Sequence, residues 1–595
     1  VSDAKLTSNT GETQIGRLLE GHNILTIPFF QRPYKWKPKR LEQLETDILS
    51  LVDDDSAIHF LGAIITFGRP SAPADPSVYE IIDGQQRLTT LYLYMCAIIK
   101  TLLENGAPQE ANTLFQKYLT VGVGKHSGSN LKLQPSNEDR GDLNAVIQDL
   151  LDTKEFSELS NVPATHLLPN AHSHGGRILA NYRRAKTFCR RQLNDEGVDR
   201  IRKIYVSILN QMAVVQIDVK DPISGPKIFD SLNSRQEPMT IGDLVRNEIF
   251  ARKTATDPED AILVEQQHWQ PFYRQFKHEG RDYFDDYFFP YGLIHDPNVK
   301  KTEVYTVLKK HWAGLEPAEV IADLKVYQNA YMDLRIGSNR SGLSKTVATT
   351  FRRFHDMGAP TSIYPFLMQL ARANKSEIIG DAQTISLMEV LDSFLIRRAL
   401  CGHEPTGLHA VFKKLWHDIR DNPTPESMSS RIRSHRTVAW PDNDEVSRAV
   451  MSRDLYGTSV ARYVLYQHDR SLGGDDVSAL PTWIEHVMPQ NRSEPWKSFT
   501  IAEHEKYKNV FANLLPLSSQ MNNQLKDSSY SVKSKTYLSD SMYKSAREFA
   551  AQYTDWTPEE LVDRGETLAS WAIVRWPHDG LRLENSVVHT QPVLL

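Results

Sequence analysis

The chain has 595 residues, 40% hydrophobic and 24% charged, with a formal net charge of −5. That composition is globular and too long for one core, so two or three domains are expected. So small a charge argues against nucleic-acid binding through the overall field, and local basic stretches must supply any such attraction. Three scattered cysteines, Cys96, Cys189 and Cys401, argue against a zinc finger or a disulfide framework and fit a reducing compartment. There is no basic-then-apolar leader at Val1-Ser2-Asp3 and no uninterrupted apolar run of about 18 residues. A cytoplasmic protein with no membrane partner is expected.

In chain order, Ile24, Leu25 and Ile27 predict a short strand that Pro28 ends. The stretch Ile27-Pro28-Phe29-Phe30-Gln31-Arg32-Pro33-Tyr34-Lys35-Trp36 then interleaves amide and basic groups with aromatics, the mix that stacks on bases and holds phosphates. A helix is predicted over Leu41–Leu51, and buried strands over His59–Thr66 and Val78–Ile82. A long apolar helix begins near Leu88. Between that helix and the preceding strand stands Asp83-Gly84-Gln85-Gln86-Arg87. Glycine supplies the tight turn, and two amides and a guanidinium sit on the first helical turn, where free N–H groups and the helix dipole favour an anion. Taken alone, the pentapeptide reads as a capped turn with solvated polar residues.

From about residue 140 the pattern turns helical, except for a β-branched strand at Met212–Val219 that returns to the N-terminal sheet. Residues 256–450 show helical periodicity broken at Ala359-Pro360, Gly402 and Pro423-Thr424-Pro425. Ser386–Leu400 is amphipathic and carries Arg397-Arg398 in its last turn, and Trp440–Asp444 marks a boundary. Three features are weak. Gly122-Val123-Gly124-Lys125 has Leu119 and His126 where a Walker sequence needs glycine and Ser or Thr. His172-Ser173-His174 reads as a solvated loop, and the basic run at Arg183, Arg184, Lys186, Arg190 and Arg191 as a solvated helix face. The expected domains are 1–255, 256–445 and 446–595.

Near the C-terminal end, Trp483-Ile484-Glu485-His486-Val487-Met488-Pro489-Gln490 reads as a strand ending in a Glu-His pair. Asn513-Leu514-Leu515-Pro516-Leu517 follows, then Asn522, Lys533 and Tyr537. The two asparagines are nine residues apart, enough for a strand, a turn and entry into a helix. A β-hairpin followed by a helix would let His486 and Asn522 face one another. Phosphodiester hydrolysis needs a base for water and a cation for the developing charge. A neutral histidine suits the base, and one carboxylate with one amide oxygen, Glu485 and Asn522, can hold a hydrated Mg²⁺ or Mn²⁺. Asn513 can bridge the hairpin loop and hold His486 in place.

These residues carry a resemblance. IPFFQRPYKW, HFLGAIITF and IIDGQQRLTTL, in that order, resemble the N-terminal domain of GmrSD-type DNA-restriction proteins, which carries a DGQQR motif on a ParB-like fold. Ile228–Arg235 and Leu244–Asn247 are similar to a second block of that family, with Gln236 where glycine is usual. The EHVMPQ and later Asn and Lys positions resemble the HNH, or ββα-metal, nuclease domain of the same proteins, with Ala512 where glycine is usual and Pro516 within the apolar run.

The resemblance implies a mostly helical α+β protein of bacterial anti-phage defence: a ParB-like α/β domain, a helical middle and an HNH domain embedded in helices. It implies a nucleotide-regulated endonuclease or nickase that acts on double-stranded, modified DNA, phosphorothioated or carrying hydroxymethyl- or glucosyl-cytosine. An NTP (GTP, UTP or ATP) would be substrate or regulator, held by Gly84, Gln85, Gln86, Arg87, Gln31 and Arg32, with Asp83 and Arg87 catalytic. Phe30, Gln31, Pro33, Tyr34, Trp36 and Lys533 would contact DNA. His486, Asn513 and Asn522 would be catalytic in cleavage, and Glu485 and Asn522 would hold the metal. A homo-oligomer is left open. The alternative is a DNA-modification-sensing NTPase switch whose nuclease domain is idle, as would follow if Ala512 and Pro516 spoil the site.

Overall fold

The computed structural model describes residues 7–54, 56–69, 75–121, 130–159, 167–168, 173, 175–220, 240–474, 482–578 and 580. The protein is α+β and mostly helical. It divides into two compact units, residues 1–271 with 314–320 and residues 272–313 with 321–595. The helices between 321 and 445 therefore share a unit with the C-terminal hairpin.

The first unit is built on a mixed sheet of β1 (Thr7–Gln14), β2 (Asn23–Thr26), β3 (His59–Arg69), β4 (Ser77–Asp83), β5 (Leu133–Gln134) and β6 (Met212–Val219), ordered β1-β6-β3-β4-β2-β5. β6 returns to this sheet as expected, antiparallel to β1 and parallel to β3. β3 and β4 are antiparallel, whereas β2 runs parallel to both β4 and β5. Sequence reading missed β1 and β5 for physical reasons. TSNTGETQ has no apolar face to alternate, and a two-residue strand has no period.

Three helices frame the first unit's motif: α1 (Ile15–Leu19), α2 (Pro38–Val52) and α3 (Gln85–Glu104). Every residue of α3 except Glu104 is buried. A helix apolar on all sides belongs inside a core, and α3 packs among α2 and the helices Arg177–Glu196 and Val198–Asn210. Burial of each large aliphatic side chain there contributes about 1.5–3 kcal/mol. Truncating a residue such as Leu91 to alanine would cost about 2–5 kcal/mol. The basic run of Arg177–Glu196 is partly paired on the surface, Arg184 with Glu45 and Lys186 with Asp149.

Among its described residues, the second unit is helical apart from two short ladders. β7 (Lys277–His278) pairs with β8 (Arg281–Asp282), and β9 (Thr482–His486) with β10 (Leu514–Ser518). The amphipathic segment at 386–400 lies in the helix Asp381–Cys401, which is buried over most of its surface. Its Arg397 is fully buried and donates to Trp576 O, Pro441 O and Asn443 Oδ1. Among the described residues, no helix is long and apolar enough to cross a membrane. Ile228–Arg235, Gln236, Gly122–Lys125, His172 and His174 lie outside the described residues.

Candidate functional site

The first candidate site follows from one glycine. Gly84 caps α3 with φ of 97°, a left-handed geometry that L side chains rarely adopt. A Cβ there would stand 2.8 Å from Ile64 Cγ1. The turn therefore pulls the start of α3 against β3 and buries the three polar residues that follow. Burial obliges them to find partners. Gln86 donates to Pro33 O at 3.1 Å and accepts from Lys35 N at 2.8 Å, so both ends of its amide clamp the loop after β2. Gln85 donates to Arg32 O, and Gln31 donates to Ile82 O. Arg87 donates to Ala63 O and pairs with Asp83 at 3.2 Å. Burial pulls its guanidinium below the usual range, and Asp83 opposes that.

Two buried atoms stay unpartnered, Gln85 Oε1 and Arg87 Nε. Gln85 and Arg87 line a cleft of about 210 Å³ together with Gln31, Arg32, Trp36, Asp83, Gly84 and His59. The structure thus brings together every sequence-predicted nucleotide residue: Gln31, Arg32, Gly84, Gln85, Gln86, Arg87 and Asp83.

The DNA-contact set needs correction here. Phe30 is buried, edge-on to Phe29. Tyr34 is buried with its hydroxyl 2.6 Å from Thr90 Oγ1 and accepting from Asn181 Nδ2, and burial pushes that hydroxyl up to about 12. Neither ring presents a face on which a base could stack. Pro33 lends its carbonyl to Gln86. Of that set, Trp36 and Gln31 line the cleft.

The second candidate site is the hairpin β9–β10 with the helix Ser519–Leu525, whose N-cap Ser518 accepts from Met521 N. Leu514 lies opposite His486 in the ladder. Asn513 is fully buried and satisfied. Its Oδ1 accepts from Met488 N (2.8 Å) and Trp556 Nε1 (3.3 Å), and its Nδ2 donates to Met488 O and Lys508 O, both at 2.8 Å. Val487 N donates to the Asn513 carbonyl at 2.9 Å. Asn513 is therefore the loop clamp beside His486, with no polar atom left over for chemistry. Buried Arg564 fastens the same corner by donating to Ala512 O and Leu514 O.

A cleft of about 830 Å³ opens beside the hairpin, and His486, Glu485 and Asn522 all line it with Tyr456, Arg462 and Lys526. Burial pulls the His486 imidazole down to about 4, so the ring is neutral at pH 7. Its Nε2 lies 3.1 Å from Asn509 Oδ1. The Asn509 amide is oriented by donating through Nδ2 to Asp454 Oδ2 at 2.9 Å. An oxygen facing His486 makes Nε2 the protonated nitrogen and leaves Nδ1 as the base. The Tyr456 ring stands edge-on to the imidazole with centroids 4.3 Å apart. Sequence reasoning missed Asp454, Tyr456 and Asn509. Single polar residues in a helix-to-loop stretch carry no periodic signal.

Lys533 requires the second correction. It is fully buried, donating to Glu485 Oε1 and to His486 O, both at 2.7 Å. An ammonium so enclosed cannot contact DNA. Tyr537 also donates to Glu485 Oε1, at 2.8 Å. Burial raises the Glu485 carboxyl and lowers the Lys533 ammonium, while each partner's charge opposes the shift in the other. Both hydrogen bonds land on Oε1, which leaves Oε2 of Glu485, beside the amide oxygen of Asn522, among the hard donors of a cleft that Asp527, Asn491 and Asn523 also line.

Comparison with known proteins finds two matching family models. Residues 15–250 match the model described as GmrSD restriction endonuclease, N-terminal domain. Residues 440–571 match that of GmrSD restriction endonucleases, C-terminal domain. No curated protein matches the chain.

Proposed function

The chain belongs to the GmrSD restriction endonuclease family, and from that premise we propose that it is a nucleotide-regulated endonuclease or nickase that cuts modified double-stranded DNA in the His486 cleft. The observation that carries this reading is a neutral imidazole, oriented by Asn509, on the wall of a cleft of about 830 Å³. His486 Nδ1 would take the proton from the attacking water. Arg462 and Lys526, exposed on the same wall, would hold phosphate in place of buried Lys533. Glu485 Oε2 and Asn522 fit a hydrated Mg²⁺ or Mn²⁺, with too few nitrogen or sulfur donors for a resident zinc. When bound, that ion would supply charge stabilisation at the phosphate.

In the first unit, the unpartnered Arg87 Nε and Gln85 Oε1 support an NTP phosphate and its hydrogen-bonding partner in the Gly84 cleft. The test is a plasmid-cleavage panel of unmodified, hydroxymethylated and phosphorothioated DNA, with and without NTP, in Mg²⁺ and in EDTA. Cleavage is expected to vanish in chelator and return with Mg²⁺ or Mn²⁺. Full activity in EDTA would overturn the metal reading. Unchanged NTP turnover by Arg87→Ala would move the nucleotide site elsewhere.

One observation favours the second reading, a modification-sensing NTPase switch with an idle nuclease. The carboxylate expected to hold the metal is already neutralised by Lys533. If no DNA in the panel is cut while NTP hydrolysis responds to it, this reading replaces the first.

A further inference from the structure

The second unit brings together two histidines and an aspartate that line neither cleft. His295 ends the helix Phe284–His295, His311 ends Val304–His311, and Asp323 lies on Pro317–Lys325. Their candidate donor atoms all lie within 4.8 Å of one another. The two imidazole centroids are 3.9 Å apart, and His311 Nε2 is 3.1 Å from Asp323 Oδ2. That oxygen also accepts from Trp312 Nε1 at 3.0 Å and from the Tyr291 hydroxyl. His295 Nε2, by contrast, is buried and meets no hydrogen-bond partner. A buried nitrogen left so carries its full desolvation penalty, and something must compensate for it.

We propose that His295, His311 and Asp323 hold a divalent transition-metal ion of the zinc class. Two imidazoles and one carboxylate are a three-ligand set for Zn²⁺, with a fourth position left for water. Imidazole nitrogens select zinc, copper, nickel or iron over Mg²⁺, so this site and the His486 cleft differ in the metal they take. The protonation states suit the task. Burial first, and His311 second, pull His295 down to about 4, which keeps its lone pair free. Burial would raise the Asp323 carboxyl, but the hydrogen bonds from Tyr291 and Trp312 and the two neighbouring imidazoles together bring it below its ordinary value. Those two donors also orient the carboxylate, as the outer partners of metal ligands do.

Donors around a tetrahedral zinc stand about 3.4 Å apart for bonds of about 2.0–2.1 Å, so the set must close by roughly 1 Å. His311 can make that movement, since its side chain is 37% exposed. Its exposure and that of Asp323 also leave an entry path for the ion and a place for water. An ion held this way ties three helices together, a staple that does not depend on the nuclease chemistry.

The experiment uses the full chain, stripped with chelator and titrated with Zn²⁺ in excess Mg²⁺, read by calorimetry, metal analysis and thermal unfolding. Wild-type protein is expected to bind zinc and to melt at a higher temperature with it. His311→Ala, an exposed position that should leave the fold intact, is expected to lose one equivalent and the zinc-dependent rise in Tm. Asp323→Asn and His295→Asn should lose the same equivalent, and His486→Ala should retain it. Co²⁺ in place of Zn²⁺ should give wild type a tetrahedral visible spectrum that His311→Ala lacks. Equal zinc stoichiometry and equal Tm shift in wild type and His311→Ala would overturn the site, as would no zinc uptake in excess Mg²⁺.

Discussion

The Gly84 cleft and the His486 cleft both begin with a strand that ends in polar residues, yet they divide labour differently. At Gly84 a single side chain does two jobs. Arg87 lines the cleft and braces β3 through Ala63 O while its buried Nε stays unpartnered, and Gln85 holds Arg32 O with one end and leaves the other unpartnered. At His486 the jobs are separate except at Glu485, whose Oε1 is clamped by Lys533 and Tyr537. Asn513 and Lys533 clamp, fully buried, while His486 and Asn522 line the cleft. Substitution should therefore uncouple fold from chemistry at the second site and not at the first.

The largest expected effect tests the separated site. His486→Ala should lower cleavage by about 10²–10⁴, the usual contribution of a positioned base, while leaving NTP hydrolysis and the urea midpoint near wild type. Cleavage at the wild-type rate would remove His486 from the mechanism.

Next comes a pair of asparagines. Asn513→Ala leaves the Met488 and Lys508 backbone groups without their partner in a buried corner, and should cost about 3 kcal/mol in equilibrium unfolding. Asn522→Ala, on a half-buried helix position at the cleft, should leave stability within about 0.5 kcal/mol and raise the Mg²⁺ concentration needed for half-maximal cleavage. If the two variants behave alike, the division between clamp and cleft residue fails.

That division also decides what could be read from sequence. β2, β3, β4, β6 and α3 were legible because their apolar residues repeat at strand or helix period. The hairpin-plus-helix around Glu485, Asn513 and Asn522 was legible from spacing. Burial direction was not. Tyr34 and Lys533 have the residue types that bind nucleic acid, and the same types satisfy a core when Thr90, Asn181 or Glu485 stands opposite. Those partners lie 48 to 147 positions away in sequence, beyond any local pattern. The Asp454–Asn509–His486 chain was hidden for the same reason.

A smaller effect concerns pH. The folded His486 titrates at about 4 against an ordinary value near 6.5. Only the neutral ring is a base, so kcat/KM should stay level from pH 7 to about 5 and fall as pH drops through about 4. An exposed imidazole would lose half its activity near 6.5. The depressed value also makes His486 acid-labile. The unfolded ring takes up its proton first, so this contribution to stability is full above about 6.5 and is lost as pH falls toward 4. The urea midpoint should decline over that window in wild type and less in His486→Ala. A rate profile with its midpoint near 6.5 would mean that the ring is solvated during turnover.

The smallest effect probes the outermost link. Asp454 is exposed and touches no cleft atom of His486; it fixes only which end of the Asn509 amide faces the ring. One hydrogen bond to a charged, solvated acceptor contributes about 0.5–1.5 kcal/mol, so Asp454→Ala should slow cleavage by roughly threefold to tenfold. The direction follows from the tautomer. With the carboxylate gone, Asn509 can turn its NH₂ toward Nε2, which then must accept, and the proton moves to Nδ1 where the base is needed. Asn509→Asp separates this account from a merely structural one. It places an acceptor facing Nε2 whichever way it turns, so it should preserve the tautomer, hold the imidazole more basic and move the lower limb of the pH–rate profile upward. Cleavage by Asp454→Ala at the wild-type rate, together with an unmoved pH profile in Asn509→Asp, would reduce the chain to a surface contact and leave His486 oriented by Tyr456 and its own backbone alone.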